Sequence, residues 1–150
     1  MGQVIVIKNP DGGVFVVRPT GEVPIETVLI KDVPNDPSLF KVMDQSALPV
    51  DRNYMGAWVL SGEAVSVDLE KAKVIHQGGL IAALLMNLKK IEQDILEAEI
   101  MGKPIDVAAL EAKRTKLKSD VKLIDVSKAN TLEELKAMWP SDLEKKVRLK

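Results

Sequence analysis

Hydrophobic residues follow two patterns along this chain, and the change between them falls near Asp68. Before that point, β-branched and aromatic residues form short runs, such as Val4 to Ile7 and Val14 to Val17, with turn-forming residues between them. This pattern predicts a β-hairpin whose strands are apolar on both faces. After Asp68, leucine, alanine, lysine and glutamate dominate. We therefore predict an α+β chain, with a small antiparallel β lobe at residues 1–67 and a helical lobe at residues 68–150.

Further short segments complete the predicted β lobe. Leu39 to Met43 is expected to be extended, and Met55 to Leu60 is expected to form a second hairpin with Ala64 to Val67. Glu26 to Lys31 suits either a short helix or a strand, because the apolar run is too short for its periodicity to decide.

Apolar residues at spacings of three and four predict the helices of the second lobe. The first helix is expected at about residues 68–101 and should end near Gly102, since glycine commonly follows the last helical residue. The second is expected at about residues 106–124. Because the linker is short, the two helices should form an antiparallel hairpin. A short C-terminal helix at about residues 131–138 follows a capping sequence that starts at Thr131.

Two adjacent glycines, Gly78 and Gly79, lie inside the long helical pattern. Within a helix they cost about 2 kcal/mol relative to two alanines, so some other feature should compensate. One interpretation is a break that separates a helix at 68–77 from another at 80–101. The other is close approach of a partner's backbone at an interface. The break is the favoured interpretation.

The run from Leu80 to Met86 makes the long helix apolar on more than one face. A two-helix hairpin cannot cover all of these side chains. We therefore expect the helices to associate with other subunits or to bury against the β lobe. The predicted partner interface consists of Leu80, Ile81, Leu84, Leu85, Leu88, Ile91 and Ile95.

The chain has 150 residues, of which 46% are hydrophobic, so it can bury a substantial core. Its 21 lysine and arginine residues nearly balance 22 aspartate and glutamate residues, for a formal net charge of −1. This balance argues against strong attraction to nucleic acid or anionic lipid. The basic residues between Lys113 and Lys122 are interpreted as a solvated helix face, because no aromatic residues interleave with them.

No targeting or membrane-spanning segment is predicted. The first residues lack the basic and long apolar regions of a secretory signal. The longest apolar run, Leu80 to Met86, is far shorter than the roughly 20 residues needed to cross a bilayer. We expect a chain made in the cytosol without membrane association.

Residues suited to catalysis or metal binding are scarce. The absence of cysteine excludes thiolate zinc sites and thiol nucleophiles. The single histidine, His76, lies in no nucleophile motif and is expected to be structural. The acidic residues from Glu92 to Glu99 are interpreted as a solvated helix face. We predict no catalytic, cofactor-binding or metal-binding residues and no small-molecule substrate, and we expect Trp139 to anchor the C-terminal tail.

Three segments carry a shared pattern. Asp51 to Trp58 joins an Asp-Arg-x-aromatic sequence to Ala-Trp, and Val65 to His76 contains Val-Asp-x-x-Lys-Ala followed by Ile-His. Thr131 to Pro140 ends in Leu-Lys-Ala-x-Trp-Pro. Together these segments resemble small proteins that tailed bacteriophages and prophages encode among virion and tail-fibre genes.

The resemblance implies a virion component or an assembly factor without catalytic activity. We expect a structural or accessory protein of the capsid, neck or tail, made in the host cytoplasm, that contacts other virion proteins and forms a homo-oligomer. One alternative is a tail-fibre assembly chaperone. Another, from a different class, is a small nucleic-acid-binding regulatory protein that uses the basic face between Lys113 and Lys122.

Overall fold

The computed structural model describes residues 2–10, 12–19, 39–50, 52–62 and 64–146. The α+β prediction is confirmed, since antiparallel strands come first and are followed by two long helices and a short C-terminal helix. The chain divides into two compact units, Met1–Ala72 and Lys73–Lys150. The interpretation of Glu26 to Lys31 concerns residues outside the described ranges.

The first unit is built from two antiparallel sheets with the strands β1 Gln3–Lys8, β2 Val14–Val17, β3 Phe40–Asp44, β4 Trp58–Ser61 and β5 Ala64–Val67. The first sheet has the order β2-β1-β3, and the second pairs β4 with β5. The first predicted hairpin and the extended segment before Asp44 are therefore confirmed. The second hairpin is also present, although its first strand starts at Trp58 because Met55–Ala57 form a 3-10 turn.

The strands of the first sheet are apolar on both faces, as the sequence pattern predicts. Val4 and Val6 lie on the face that shares a buried cluster with Trp58. The neighbouring Ile5 is fully buried on the opposite face. Trp58 also lies 5.3 Å beneath the guanidinium of Arg52, within cation–π range. Among the described residues the indole Nε1 finds no hydrogen-bond partner, so apolar packing and the Arg52 contact hold this side chain.

Three helices follow: α1 Leu69–Ile100, α2 Pro104–Leu123 and α3 Leu132–Ala137. Local signals fix their ends. The Lys71 amide donates to Asp68 Oδ1 at the start of α1, where the free amides need acceptors. Gly102 ends the same helix with φ +68°, and the Lys103 amide donates to the Ala98 carbonyl, in the manner of a glycine-terminated helix.

The second and third helices also begin at recognisable residues. Helix α2 starts at Pro104, two residues before the expected position, because proline is well suited to a first helical position. At the start of α3 the Glu134 amide donates to Thr131 Oγ1 at 3.1 Å. The Glu134 carboxylate accepts from the Asn130 amide at 2.6 Å. The predicted capping sequence therefore operates, with the reciprocal bond displaced by one residue.

The core of the second unit joins both long helices to the C-terminal segment. Its buried residues are Leu80, Ala83, Ile91, Leu117, Val121 and Leu143. Trp139 packs against this cluster, and its Nε1 donates to the Leu143 carbonyl at 2.8 Å. Lys145 Nζ lies 5.4 Å from the centre of the same ring. The predicted anchoring role of Trp139 agrees with these contacts.

Candidate functional site: an open apolar face on helix α1

One side of α1 carries apolar residues that the described structure leaves exposed. Val74 is 73% exposed, Ile81 48% and Leu85 61%. Spacings of three and four residues place them on one side of the helix, together with Gly78 and Ala82. These five residues are called the open face.

Six of the seven residues predicted to form a partner interface separate into two groups. One group faces the core of the second unit and consists of Leu80, Leu84, Ile91 and Ile95. Leu88 is half-buried. The other group, which contains Ile81 and Leu85, belongs to the open face. Periodicity identified two apolar sides of α1, and only the second is available to a partner.

The predicted break at Gly78 and Gly79 is wrong, because α1 continues through both residues. The flanking residues His76 and Leu80 are buried on the opposite side, so tertiary packing holds the helix where intrinsic propensity is weak. A methyl group added at either glycine would meet no described residue within 4 Å. Gly78 thus leaves a notch in the open face, between Val74 and the protruding Leu85.

The open face lies in an uncharged stretch of helix. No lysine, arginine, aspartate or glutamate occurs from Val74 to Leu88, a length of about 22 Å at 1.5 Å per residue. Two nearby ammonium groups are engaged elsewhere: Lys73 Nζ donates to the Ser127 carbonyl at 3.3 Å, and Lys90 Nζ lies 3.9 Å from the Glu144 carboxylate. A solvated helix side usually carries charge, so this surface is typical of a contact region.

His76 lies on the opposite side of α1 and is 7% exposed. Its Nε2 donates to the Met138 carbonyl at 2.8 Å. Its ring also meets the Trp139 ring edge-on, with the centroids 5.7 Å apart. These contacts attach the segment after α3 to the long helix, which is the structural role expected of His76.

Asn87 is a buried polar residue that the sequence analysis missed. Its Nδ2 donates to the Ala83 carbonyl at 2.6 Å and to the Glu144 carbonyl at 2.9 Å. Its Oδ1 accepts from the Glu144 amide at 3.1 Å. The available signal was a lone amide within an otherwise apolar run. Asn87 therefore joins His76 in fixing the C-terminal segment along α1.

A third attachment of the C-terminal segment is ionic and exposed. Lys116 Nζ lies 2.9 Å from Asp120 Oδ2 and 2.6 Å from Asp142 Oδ2. These hydrogen bonds, first to Asp120 and then to Asp142, raise the pKa of Lys116 above its usual range. The bond from Lys116 lowers the pKa of Asp142. The predicted basic helix face is thus partly neutralised.

Other candidate sites offer little convergent chemistry. A groove of about 430 Å³ at the tip of the hairpin is lined by Asp94, Glu97, Lys103 and Asp106 together with apolar residues. It is a surface groove that mixes both charge signs. Within the described ranges, no group of three or more His, Cys, Asp or Glu residues could hold a metal ion. Nor does any helix there combine the length and hydropathy needed to cross a membrane.

Comparisons with family models, with curated proteins and with solved structures gave no match to this chain.

Proposed function

We propose that this chain is a non-enzymatic structural or accessory protein of a bacteriophage virion, in the capsid, neck or tail, that acts through contacts with other proteins. The observation that carries the proposal is the open face, where Val74, Ile81 and Leu85 are exposed in an uncharged stretch of α1. A surface of this kind is better suited to a protein partner than to water. The sequence resemblance described above supplies the virion context.

The C-terminal attachments support the same proposal. His76 and Asn87 are the two buried polar residues of the described structure. His76 donates a hydrogen bond to the Met138 carbonyl, and Asn87 donates to the Ala83 and Glu144 carbonyls. They therefore fix α1 against the C-terminal segment. A rigid helix presents a binding surface at a lower entropic cost than a mobile one.

Mass spectrometry of purified virions tests the proposal. The gene is tagged in the phage that encodes it, and particles are purified by density gradient. A virion component is expected at constant stoichiometry to the major structural proteins. Leu85→Lys should reduce its incorporation, whereas Leu123→Lys, at an exposed leucine of the other long helix, should not.

The tail-fibre chaperone alternative predicts a different result. Such a protein would be required for fibre assembly and present in infected cells, but absent from finished particles. If the protein is absent from particles and its deletion leaves particle yield and infectivity unchanged, the virion-component and the chaperone hypotheses are both wrong.

A further inference from the structure

We propose that the open face pairs with the same face of a second copy of this chain, through antiparallel packing of α1 about a two-fold axis between Ile81 and Ala82. The inference deepens the proposed function, on which it rests, by naming the partner of the surface. Leu85 protrudes and is 61% exposed, whereas Gly78 has open space where a side chain would lie. The two positions are seven residues apart, which is about 10.5 Å along the helix.

The two-fold axis makes this surface complementary to itself. An antiparallel pair centred between residues 81 and 82 places Leu85 of each copy opposite Gly78 of the other. In such an interface the same patch is used twice, and every contact occurs in both directions. The two-fold rotation therefore places the Leu85 side chain of each copy in the notch at Gly78 of the other copy.

Small residues near the axis allow the helices to approach closely. Gly78 has no side chain and Ala82 only a methyl group, so the backbones can reach the lower end of the interaxial range, about 8 Å. Ile81 lies beside them and covers one flank of the contact. The second glycine, Gly79, also has open space at its Cβ position.

The charges that border the open face favour the antiparallel direction. Spacings of three and four residues continue this side of α1 from Leu85 through the half-buried Leu88 to the exposed Glu92, so a parallel pair would bring Glu92 against Glu92 of the other copy. The antiparallel pair instead places Lys89 opposite Val74, where its alkyl stem can cover valine while its ammonium stays in water. Opposed helix dipoles also favour this direction.

A matched pair of substitutions tests the surface in the full chain. Leu85 on α1 and Leu123 on α2 are exposed leucines, at 61% and 79%, so replacing each with lysine adds the same charge to an exposed position on and off the open face. Sedimentation velocity over a micromolar concentration series should show a wild-type dimer. Leu85→Lys should weaken dimerisation about tenfold or more, because it buries an unpaired charge. Leu123→Lys should change it by no more than about twofold.

Cysteine cross-linking tests the direction and register, because the chain has no cysteine of its own. Ala82→Cys lies near the axis and should form a homodimer disulfide, which requires Cα atoms within about 7 Å. Val74→Cys and Lys89→Cys should each cross-link poorly alone and efficiently when mixed. Efficient self-linking of Val74→Cys would instead indicate a parallel pair and overturn the proposed geometry.

A notch-filling variant separates pairing from folding. Gly78→Leu should retain the helix, because leucine is a stronger helix former and the position is open. Its circular dichroism should match or exceed that of the wild type while its dimerisation is lost. A wild-type chain that is monomeric throughout the series, or a Gly78→Leu variant that dimerises normally, overturns the inference. If that monomeric chain is nevertheless found in virions, the proposed function stands and the partner of the open face is another protein.

Discussion

The side-chain amide of Asn87 pairs with the backbone of Glu144 in both directions: Nδ2 donates to the carbonyl oxygen and Oδ1 accepts from the amide nitrogen. Asn87 is 5% exposed, and the two residues are 57 positions apart in the chain. This pair closes the C-terminal segment onto α1.

Replacing Asn87 with leucine should destabilise the protein by about 2 kcal/mol, because the side chain keeps its size while the Glu144 backbone groups lose their partner. Urea unfolding measures the loss, and limited proteolysis should show earlier cleavage between residues 138 and 146. Gln93→Leu on the exposed side of α1 is the matched control and should have little effect. Equal stability of the Asn87 variant and the wild type would contradict this account.

Substitutions at His76 should separate its hydrogen bond from its packing. His76→Phe keeps a ring against Trp139 but loses the bond to the Met138 carbonyl, so it should cost about 1 kcal/mol. His76→Ala also leaves a cavity and should cost more, about 3 kcal/mol. Equilibrium unfolding followed by circular dichroism measures both. Equal losses for the two variants would show that the ring contact contributes nothing.

Glycine-to-alanine substitutions in and after α1 should change the stability of the protein in opposite directions. Gly78→Ala should stabilise the protein by about 1 kcal/mol, because the position is helical and open. Gly102→Ala should destabilise it by about 1 kcal/mol, because Gly102 has φ +68°. Thermal unfolding midpoints provide the comparison, measured at a protein concentration low enough to keep all variants monomeric, because the proposed dimer would place Leu85 of a second copy at Gly78. A destabilised Gly78→Ala would indicate a neighbour at that position in the isolated chain.

Acid should remove the contribution of the bond between Lys116 and Asp142. The folded-state pKa of Asp142 is lowered from 3.8 by this bond. The bond therefore stabilises the folded state above the unfolded pKa, and the contribution disappears as pH falls through the lowered value. Lys116→Met should be less stable than the wild type at neutral pH, and the gap should close in acid. The control variant Lys118→Met should show no such pH-dependent gap.

Local signals determined much of what could be predicted from the sequence. Thr131, Gly102 and Pro104 act within a few residues of their own positions, so helix ends were placed to within two residues. Gly78 and Gly79 show where local reasoning fails. Their weak propensity is overridden by packing of distant residues against Leu80.

The candidate site was predicted only as far as periodicity allows. Spacing shows that α1 has two apolar sides, but it does not show which one the chain covers. That choice depends on Leu143 and Trp139, which reach the helix from far along the chain. Asn87 was missed for the same reason, since its partner at Glu144 is not apparent from local sequence.

The place of Leu143 in the core has a consequence for biosynthesis. Residues 69–123 are synthesised before Leu143. Until Leu143 packs against Leu80 and Leu117, the apolar surface of these two residues is therefore incompletely covered. Exposed apolar surface on a partly folded chain promotes aggregation. Variants that loosen the attachment of Leu143 should therefore aggregate more readily than equally destabilised variants elsewhere in the second unit.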